Sequence, residues 1–205
     1  MNLCRLLALT VALVLTAAVA PQPAAADTPE MLAGKQVAIM ITEGFHDGET
    51  LVPMAYLANR GAEVTLIGEA PGVYTAYNSD ITMVVERSVT EVSPEDFDLL
   101  LIPGGQSPAN LRENEDVVAW TRTYFEAGGL TAAICHGPQV LVTAGVIEGR
   151  TLTCVGGISG EITGAGGEYV DERVVRDGNL ITSRVPGDLP AFSEAIAAAM
   201  AEETS

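Results

Sequence analysis

Residues 131–137 have the sequence TAAICHG, and the rest of the chain is best interpreted outward from them. An apolar run typical of a buried strand stops at Cys135, and PQVLVTAG then predicts a short apolar helix ending at Gly145. Such a strand-to-helix turn, a nucleophile elbow, pushes a side chain out of the sheet beside the free N–H groups of a helix N-terminus. We therefore expect Cys135 to be a nucleophile with a lowered pKa, the alternative being an ordinary buried cysteine.

Strand-like and helix-like segments alternate on both sides of this turn. The predicted buried strands are KQVAIMITE, AEVTLIG, FDLLLIPGG and LTAAIC. Helices are predicted over residues 49–61, over residues 110–125 and from about Pro190. The first of these helices has one apolar face, formed by Leu51, Met54, Leu57 and Ala58. The alternation predicts a mostly parallel sheet covered by helices on both faces.

Two hairpins and one ligand site are also predicted. A polar stretch with Pro71, Gly72 and Asn78 indicates a small hairpin before ITMVVERSV, and a turn at Asp177-Gly178 joins EYVDERVVR to NLITSR. Ligands of mostly parallel sheets bind beyond the carboxyl ends of the strands. Three of the predicted strand ends carry GFHDGE, PGGQSP and CHGP, so we expect these segments to converge on one site.

The N-terminus has the pattern of a secretory signal peptide. Residues 1–26 hold one charge, Arg5, then an apolar run and small residues at Ala24 and Ala26. We expect cleavage after Ala26, a periplasmic or secreted protein with no membrane association afterwards, and a single domain over residues 27–205. Of the three cysteines Cys135 and Cys154 would remain, and we favour free thiols over a disulfide because a core of this size does not need one bridge.

The chain is strongly acidic. Its net charge of −17 becomes −18 when Arg5 is removed with the signal, leaving nine basic and 27 acidic residues. Nucleic acids and anionic membrane surfaces are therefore excluded as partners. The two histidines and the cysteines do not have the spacing of a metal site, so no metal and no cofactor is expected.

The segments IPGGQSP, AAICHGPQVLVTAGVIEGR and VVRDGNLITSRVPGD resemble the ThiJ/PfpI superfamily, and the similarity runs from about Val37 to about Ala198. The resemblance implies a flavodoxin-like three-layer α/β sandwich with a cysteine at the elbow and a glutamate held near its sulfur. The matching catalytic residues are Cys135, His136 and Glu49, the last lying in ETLVP. The family's oxyanion-hole glycines correspond to Gly104 and Gly105.

Several residues keep two interpretations. His136 is a candidate base, but neighbours at a turn usually point apart, so contact with substrate or with another subunit is the alternative. His46 either lines the pocket or is a solvated loop residue, and Arg184 either fixes its loop near the site or makes a dimer contact. PGG is also common in ordinary turns. Cys154 is expected to be buried packing. For the Cys135–Glu49 pair we expect a thiolate that accepts a hydrogen bond from a protonated carboxyl.

The chain departs from PfpI-type proteases at two places. Where these carry an acidic residue that reaches the histidine of a neighbouring subunit, this chain has Ala109, and Val155 replaces an aromatic residue of the pocket. Both departures weaken the similarity to a peptidase. A class I glutamine amidotransferase is also disfavoured, because no histidine follows His136.

The sequence thus predicts an exported cysteine-dependent enzyme, as a homodimer or higher homo-oligomer. Its substrate would be a small carbonyl compound, as for a glyoxalase or deglycase, or the acyl bond of a small molecule or peptide, as for a hydrolase or peptidase. The alternative from another class is a non-enzymatic sensor of oxidative stress, or a chaperone, that uses reversible oxidation of Cys135.

Overall fold

The structure is a computed structural model that describes residues 30–202; the predicted signal peptide and its cleavage site lie outside the described residues. The strands are β1 (Gln36–Met40), β2 (Glu63–Gly68), β3 (Gly72–Thr75), β4 (Thr82–Val85), β5 (Arg87–Ser88), β6 (Leu99–Ile102), β7 (Leu130–Ile134), β8 (Thr151–Leu152), β9 (Glu168–Tyr169), β10 (Val174–Asp177) and β11 (Leu180–Ser183). The helices are α1 (Asp47–Ala58), α2 (Ser107–Leu111), α3 (Glu115–Glu126), α4 (Pro138–Ala144), α5 (Ser159–Gly164) and α6 (Leu189–Glu202).

A seven-stranded sheet forms the middle layer, in the order β10-β11-β7-β6-β1-β2-β5. Every neighbouring pair is parallel except β10 and β11. Val37 and Ile39 of β1 pack with α1 and α6 on one face, while Ala38 and Met40 pack with α3 and α4 on the other. Because strands buried on both faces need apolar residues at every position, the near-continuous apolar runs in the sequence are explained. The predicted flavodoxin-like α/β fold is confirmed.

Both predicted hairpins are present. In the first, β3 and β4 pair antiparallel outside the main sheet, so ITMVV provides its second strand instead of following it. In the second, β10 pairs with β11 around Gly178, whose φ of 56° is in the left-handed region that glycine tolerates. The segment EYVDERVVR is divided, because β9 leaves the main sheet to pair with β8.

The single helix expected over residues 110–125 is wrong, since the structure has two helices, α2 and α3. The side chain of Asn114 accepts hydrogen bonds from the backbone N–H groups of Asp116 (3.0 Å) and Val117 (3.1 Å). An N-cap of this kind begins a new helix, because it satisfies donors that have no partner within the helix. Within residues 30–202, none of the helices has the length and hydrophobicity needed to cross a bilayer.

The predicted apolar face of α1 is only partly correct. Leu57 is fully buried, but Ala58 is exposed and Leu51 and Met54 are half-buried. The buried face instead consists of Glu49, Thr50, Pro53 and Leu57. Most residues of this helix are apolar or small, so their periodicity could not predict which face is buried. In the folded chain the buried face includes the Glu49 carboxyl group.

Candidate active site

Cys135 occupies a strained turn directly after β7. Its φ is 62°, and among residues 30–202 it is the one residue other than glycine with a positive φ. The next turn is equally restricted, because a Cβ on Gly137 would lie 2.3 Å from the carbonyl oxygen of Ile102. α4 begins at Pro138, as expected for a nucleophile elbow. The Cys135 side chain is largely enclosed, with 8% of the residue exposed.

Glu49 lies against this elbow although it comes from the first turn of α1. It is fully buried, and its Oε2 accepts a hydrogen bond of 2.8 Å from the backbone N–H of Gly104. Gly104 fills the space between the two groups: a Cβ there would lie 2.6 Å from Glu49 Oε2 and 2.7 Å from Cys135 Cβ. The carboxyl and the thiol are close enough to interact, but within the described residues no aligned donor reaches Glu49 Oε1.

Burial pushes both groups toward their neutral forms. Burial raises the pKa of Glu49 to about 7, although the Gly104 N–H and the thiol favour the charged form. Burial, and then the Glu49 carboxylate, raise the pKa of Cys135 to about 12, against the lowering effect of the His136 and Gly105 backbone N–H groups. The expectations of a lowered Cys135 pKa and of a resting thiolate are therefore wrong for this structure, because desolvation and the Glu49 carboxylate outweigh the backbone N–H groups of His136 and Gly105. A neutral Glu49 remains compatible with the structure at neutral pH.

The two oxyanion glycines have different roles. The N–H of Gly104 is engaged by Glu49, so it is not free to bind an oxyanion. The N–H groups of Gly105 and His136 point toward the Cys135 sulfur instead. Gly105 has a φ of 88°, and a Cβ there would lie 2.5 Å from the carbonyl oxygen of Gly44, so only glycine fits this position. The predicted donor pair thus becomes Gly105 and the His136 backbone.

His136 is brought to the thiol. Its Nδ1 lies 3.3 Å from Cys135 Sγ, so the expectation that these neighbours point apart is wrong. The left-handed backbone of Cys135 turns its side chain toward the ring that follows. Burial lowers the pKa of His136, while the carboxylate of Glu161 raises it. A neutral imidazole at this distance can accept the thiol proton.

A cavity of about 370 Å³ opens beside His136. Its lining residues are Tyr77, Gly105, Gln106, Ala109, His136, Gln139 and Ile158. Sequence reasoning missed Tyr77, Gln106 and Gln139. Gln139 lies one helical turn after His136, which was a usable signal, whereas Tyr77 reaches the site from the loop of the β3–β4 hairpin and left no local signal.

His46 and Arg184 do not line this cavity. The ring of His46 packs edge-on against Tyr77 with centroids 5.6 Å apart, and its Nδ1 lies 3.4 Å from Asp47 Oδ1. The backbone N–H of His46 donates to Gly104 O. His46 therefore supports the residues around the cavity.

Arg184 is held by Asp188 (2.9 Å) and Asp171 (2.7 Å) and lines a different cavity of about 310 Å³. Cys154 lines that second cavity too. Cys154 and Cys135 are both free thiols in the structure, and Cys154 is fully buried. In the described part of the chain, no group of three or more His, Cys, Asp or Glu side chains has the arrangement of a metal site.

Comparison with known proteins gives one consistent result. The model of the DJ-1/PfpI family matches residues 35–199. The protein/nucleic acid deglycase 2 of Escherichia coli is 41% identical over 161 residues, which are 78% of this chain and 94% of that protein. The crystal structure of Drosophila melanogaster DJ-1beta superposes with a TM-score of 0.76 at 32% identity, covering 82% of this chain and 90% of that one.

A further solved relative has two domains. It is a protein from Anabaena variabilis that contains DJ-1/ThiJ/PfpI-like and ferritin-like domains. It matches with a TM-score of 0.79 at 38% identity over 81% of this chain, and this chain spans 48% of its length. The match therefore covers about half of that protein.

Proposed function

The chain belongs to the DJ-1/PfpI family, and from this premise we propose that it is a deglycase-like enzyme that uses Cys135 on small carbonyl compounds. Its relative from Escherichia coli is named a deglycase. The observation that carries the proposal is the 3.3 Å contact between Cys135 Sγ and His136 Nδ1, with Glu49 buried on the other side of Gly104. A thiol, a base and a second proton carrier meet at one turn.

The proposed first step is addition of the thiol to a carbonyl carbon. His136 Nδ1 takes the proton from Sγ while the S–C bond forms, so the high pKa of the resting thiol does not prevent attack. The electron pair of the C=O π bond moves to the oxygen, which the N–H groups of Gly105 and His136 can stabilise. Glu49, whose pKa is about 7, can then give or take a proton near neutral pH.

Two other functions receive less support. A redox sensor needs an exposed thiolate, whereas Cys135 is buried and its pKa is raised. A PfpI-like peptidase is disfavoured because Ala109, which lines the cavity, offers no acidic partner to His136. We therefore place turnover of small dicarbonyls first.

The test compares the two cysteines on methylglyoxal. Cys135→Ala should lose at least about 10³-fold in kcat/KM, the scale seen when a nucleophile is removed, whereas Cys154→Ala should stay within a few-fold. Equal activity in wild type and Cys135→Ala would contradict the proposal. If casein cleavage exceeds dicarbonyl turnover and depends on Cys135, the peptidase assignment is the correct one.

We further propose that the mature enzyme is exported and self-associates. The charge-poor apolar residues 1–26 support export, and N-terminal sequencing of protein from the producing cell should begin at Asp27.

The cross-strand pair Val73 and Val84 is 66% and 58% exposed, which supports a contact with a second copy. Sedimentation should show a dimer or larger species that Val73→Lys weakens. A monomer at micromolar concentration would overturn the proposed self-association, and an intact Met1 would overturn the proposed export.

A further inference from the structure

Three side chains beside the cavity form a connected relay, Arg112–Glu161–Gln139. Arg112 Nη1 donates to Glu161 Oε2 (2.7 Å), and Gln139 Nε2 donates to Glu161 Oε1 (2.8 Å). Arg112, which follows α2, also contacts α4, because its Nε donates to Thr143 Oγ1 (2.8 Å). The relay therefore connects the end of α2, the first turn of α5 and the helix that follows the elbow.

The relay decides which way the Gln139 amide points. Arg112 holds the pKa of Glu161 below its usual range, so this group stays an ionised carboxylate, which can only accept hydrogen bonds. The NH₂ group of Gln139 must therefore face Glu161, and its carbonyl oxygen must face away. Among the described residues no hydrogen-bond donor meets Gln139 Oε1. Because Gln139 lines the cavity, this oxygen is available there as an acceptor.

The relay also makes this side of the cavity acidic. The charged group that shifts the pKa of His136 is the carboxylate of Glu161. The Cys135 thiol lies between His136 and the Glu49 carboxyl. None of the lining residues is a lysine or an arginine. Arg112 forms an ion pair with Glu161 (2.7 Å), but of these two charges only that of Glu161 acts on His136. A substrate carboxylate would meet negative potential and no cation.

Resting on the function proposed above, we propose that Gln139 is a specificity-determining residue positioned by Glu161 and Arg112. This residue selects neutral or cationic carbonyl compounds that carry a hydroxyl or N–H donor. A hydrated dicarbonyl has such a donor. Carboxylate-bearing oxo acids are selected against.

The first test measures charge selection without turnover. Iodoacetamide and iodoacetate have nearly the same size but differ by one negative charge, and peptide mass spectrometry reads alkylation at Cys135 alone. Relative to free cysteine, wild type should favour iodoacetamide by about tenfold, and Glu161→Gln should remove most of this preference, as expected for a nearby charge in a partly desolvated site. The control is Glu126→Gln. Glu126 is an exposed carboxylate at the end of α3, near the start of β7, whereas Cys135 follows the opposite, carboxyl end of that strand.

The second test concerns the acceptor oxygen. Gln139→Met keeps the length of the side chain but removes the oxygen, so KM for methylglyoxal should rise about five- to tenfold while kcat changes little, as for the loss of one hydrogen bond. Glu161→Gln frees the amide to reverse and should raise KM less than Gln139→Met does. Thermal unfolding of each variant checks that the fold is retained.

The two tests separate this proposal from the proposed function. If wild type does not turn over methylglyoxal, the proposed reaction fails, and the alkylation ratio still decides whether the relay selects by charge. An unchanged alkylation ratio in Glu161→Gln would overturn the selection by charge. An unchanged KM in Gln139→Met, with wild type active, would overturn the role of the Gln139 oxygen.

Discussion

Cys135 and Cys154 are two buried thiols whose surroundings differ in a way that isolates what a reactive site needs. Cys154 lines one cavity, Cys135 directly precedes His136, which lines another, and burial is the largest cause that raises the pKa of both thiols to about 12. Cys154 sits in ordinary packing, whereas Cys135 has a left-handed backbone, His136 Nδ1 at 3.3 Å and the Glu49 carboxyl across Gly104. Enclosure alone therefore keeps a thiol protonated, and acid–base partners distinguish the candidate site.

The largest expected effect is the pH dependence of stability, because within residues 30–202 the Cys135 region alone holds a buried carboxyl with a raised pKa. The pKa of Glu49 is about 7 in the folded chain, against an ordinary value of 4.5. The folded state therefore retains a proton that the unfolded state loses, so its stabilising effect is complete below pH 4.5 and disappears as the pH rises through 7. We expect the free energy of unfolding to fall by about 3 kcal/mol over this window.

Urea titrations at pH 4.5 and pH 7.5 measure this effect. Glu49→Gln should remove this fall, because the amide does not ionise, whereas the lowered pKa values of His46 and His136 make stability rise with pH in both proteins. Both thiols titrate only far above this window, so Cys154→Ala should keep the wild-type difference. The same pH dependence in wild type and Glu49→Gln would show that Glu49 is not buried in solution.

A second prediction adds one methyl group to each region. Gly104→Ala places a Cβ 2.6 Å from Glu49 Oε2, so the backbone must shift, and we expect a cost of about 1–3 kcal/mol in stability together with about 10²-fold lower activity. Gly156→Ala, at the Cys154 cavity, is the matched control, because nothing lies within 4 Å of its added Cβ. Chemical unfolding and methylglyoxal turnover are the measurements, and equal behaviour of the two variants would remove the distinction between the regions.

The third prediction reads both thiols in one protein. Glu49→Gln removes a negative charge that raises the Cys135 pKa but is not among the causes for Cys154. Iodoacetamide should therefore modify Cys135 about tenfold faster at pH 7.5, as for a pKa lower by one, with no change at Cys154. Site-resolved alkylation followed by mass spectrometry measures the two rates together. A slower Cys135 would mean that the carboxyl donates a hydrogen bond to a thiolate in wild type.

The smallest effect is expected at the second cavity. Arg184 is paired with Asp171 and Asp188 there and does not reach the cavity beside His136. Arg184→Gln should leave kcat/KM for methylglyoxal within about twofold, as for substitutions remote from a site. A large loss would indicate that the two cavities act together, for instance through Val155, whose N–H donates to Cys135 O at 3.1 Å.

The order and type of the central elements were accessible from the sequence because local chemistry specifies them. Apolar runs such as FDLLLI and LTAAI must be buried on both sides, and glycines such as Gly128 and Gly145 end the preceding helices in left-handed conformations. The break in residues 110–125 also had a local signal, the Asn114 cap, which the helical periodicity obscured. The inward face of α1 had no such signal.

The sequence by itself determined that a cysteine would lie at a strand-to-helix turn, that Glu49 and the PGG segment would come to the same sheet edge, and that the chain would be strongly acidic. Tertiary structure alone decided that the thiol contacts His136, that the Gly104 N–H donates to Glu49, and that the Gln139 amide donates to Glu161. The physical reason is that strand and turn formation depend on neighbours along the chain. The direction of a hydrogen bond and the pKa of a buried group depend on desolvation and on partners that only the folded chain brings together.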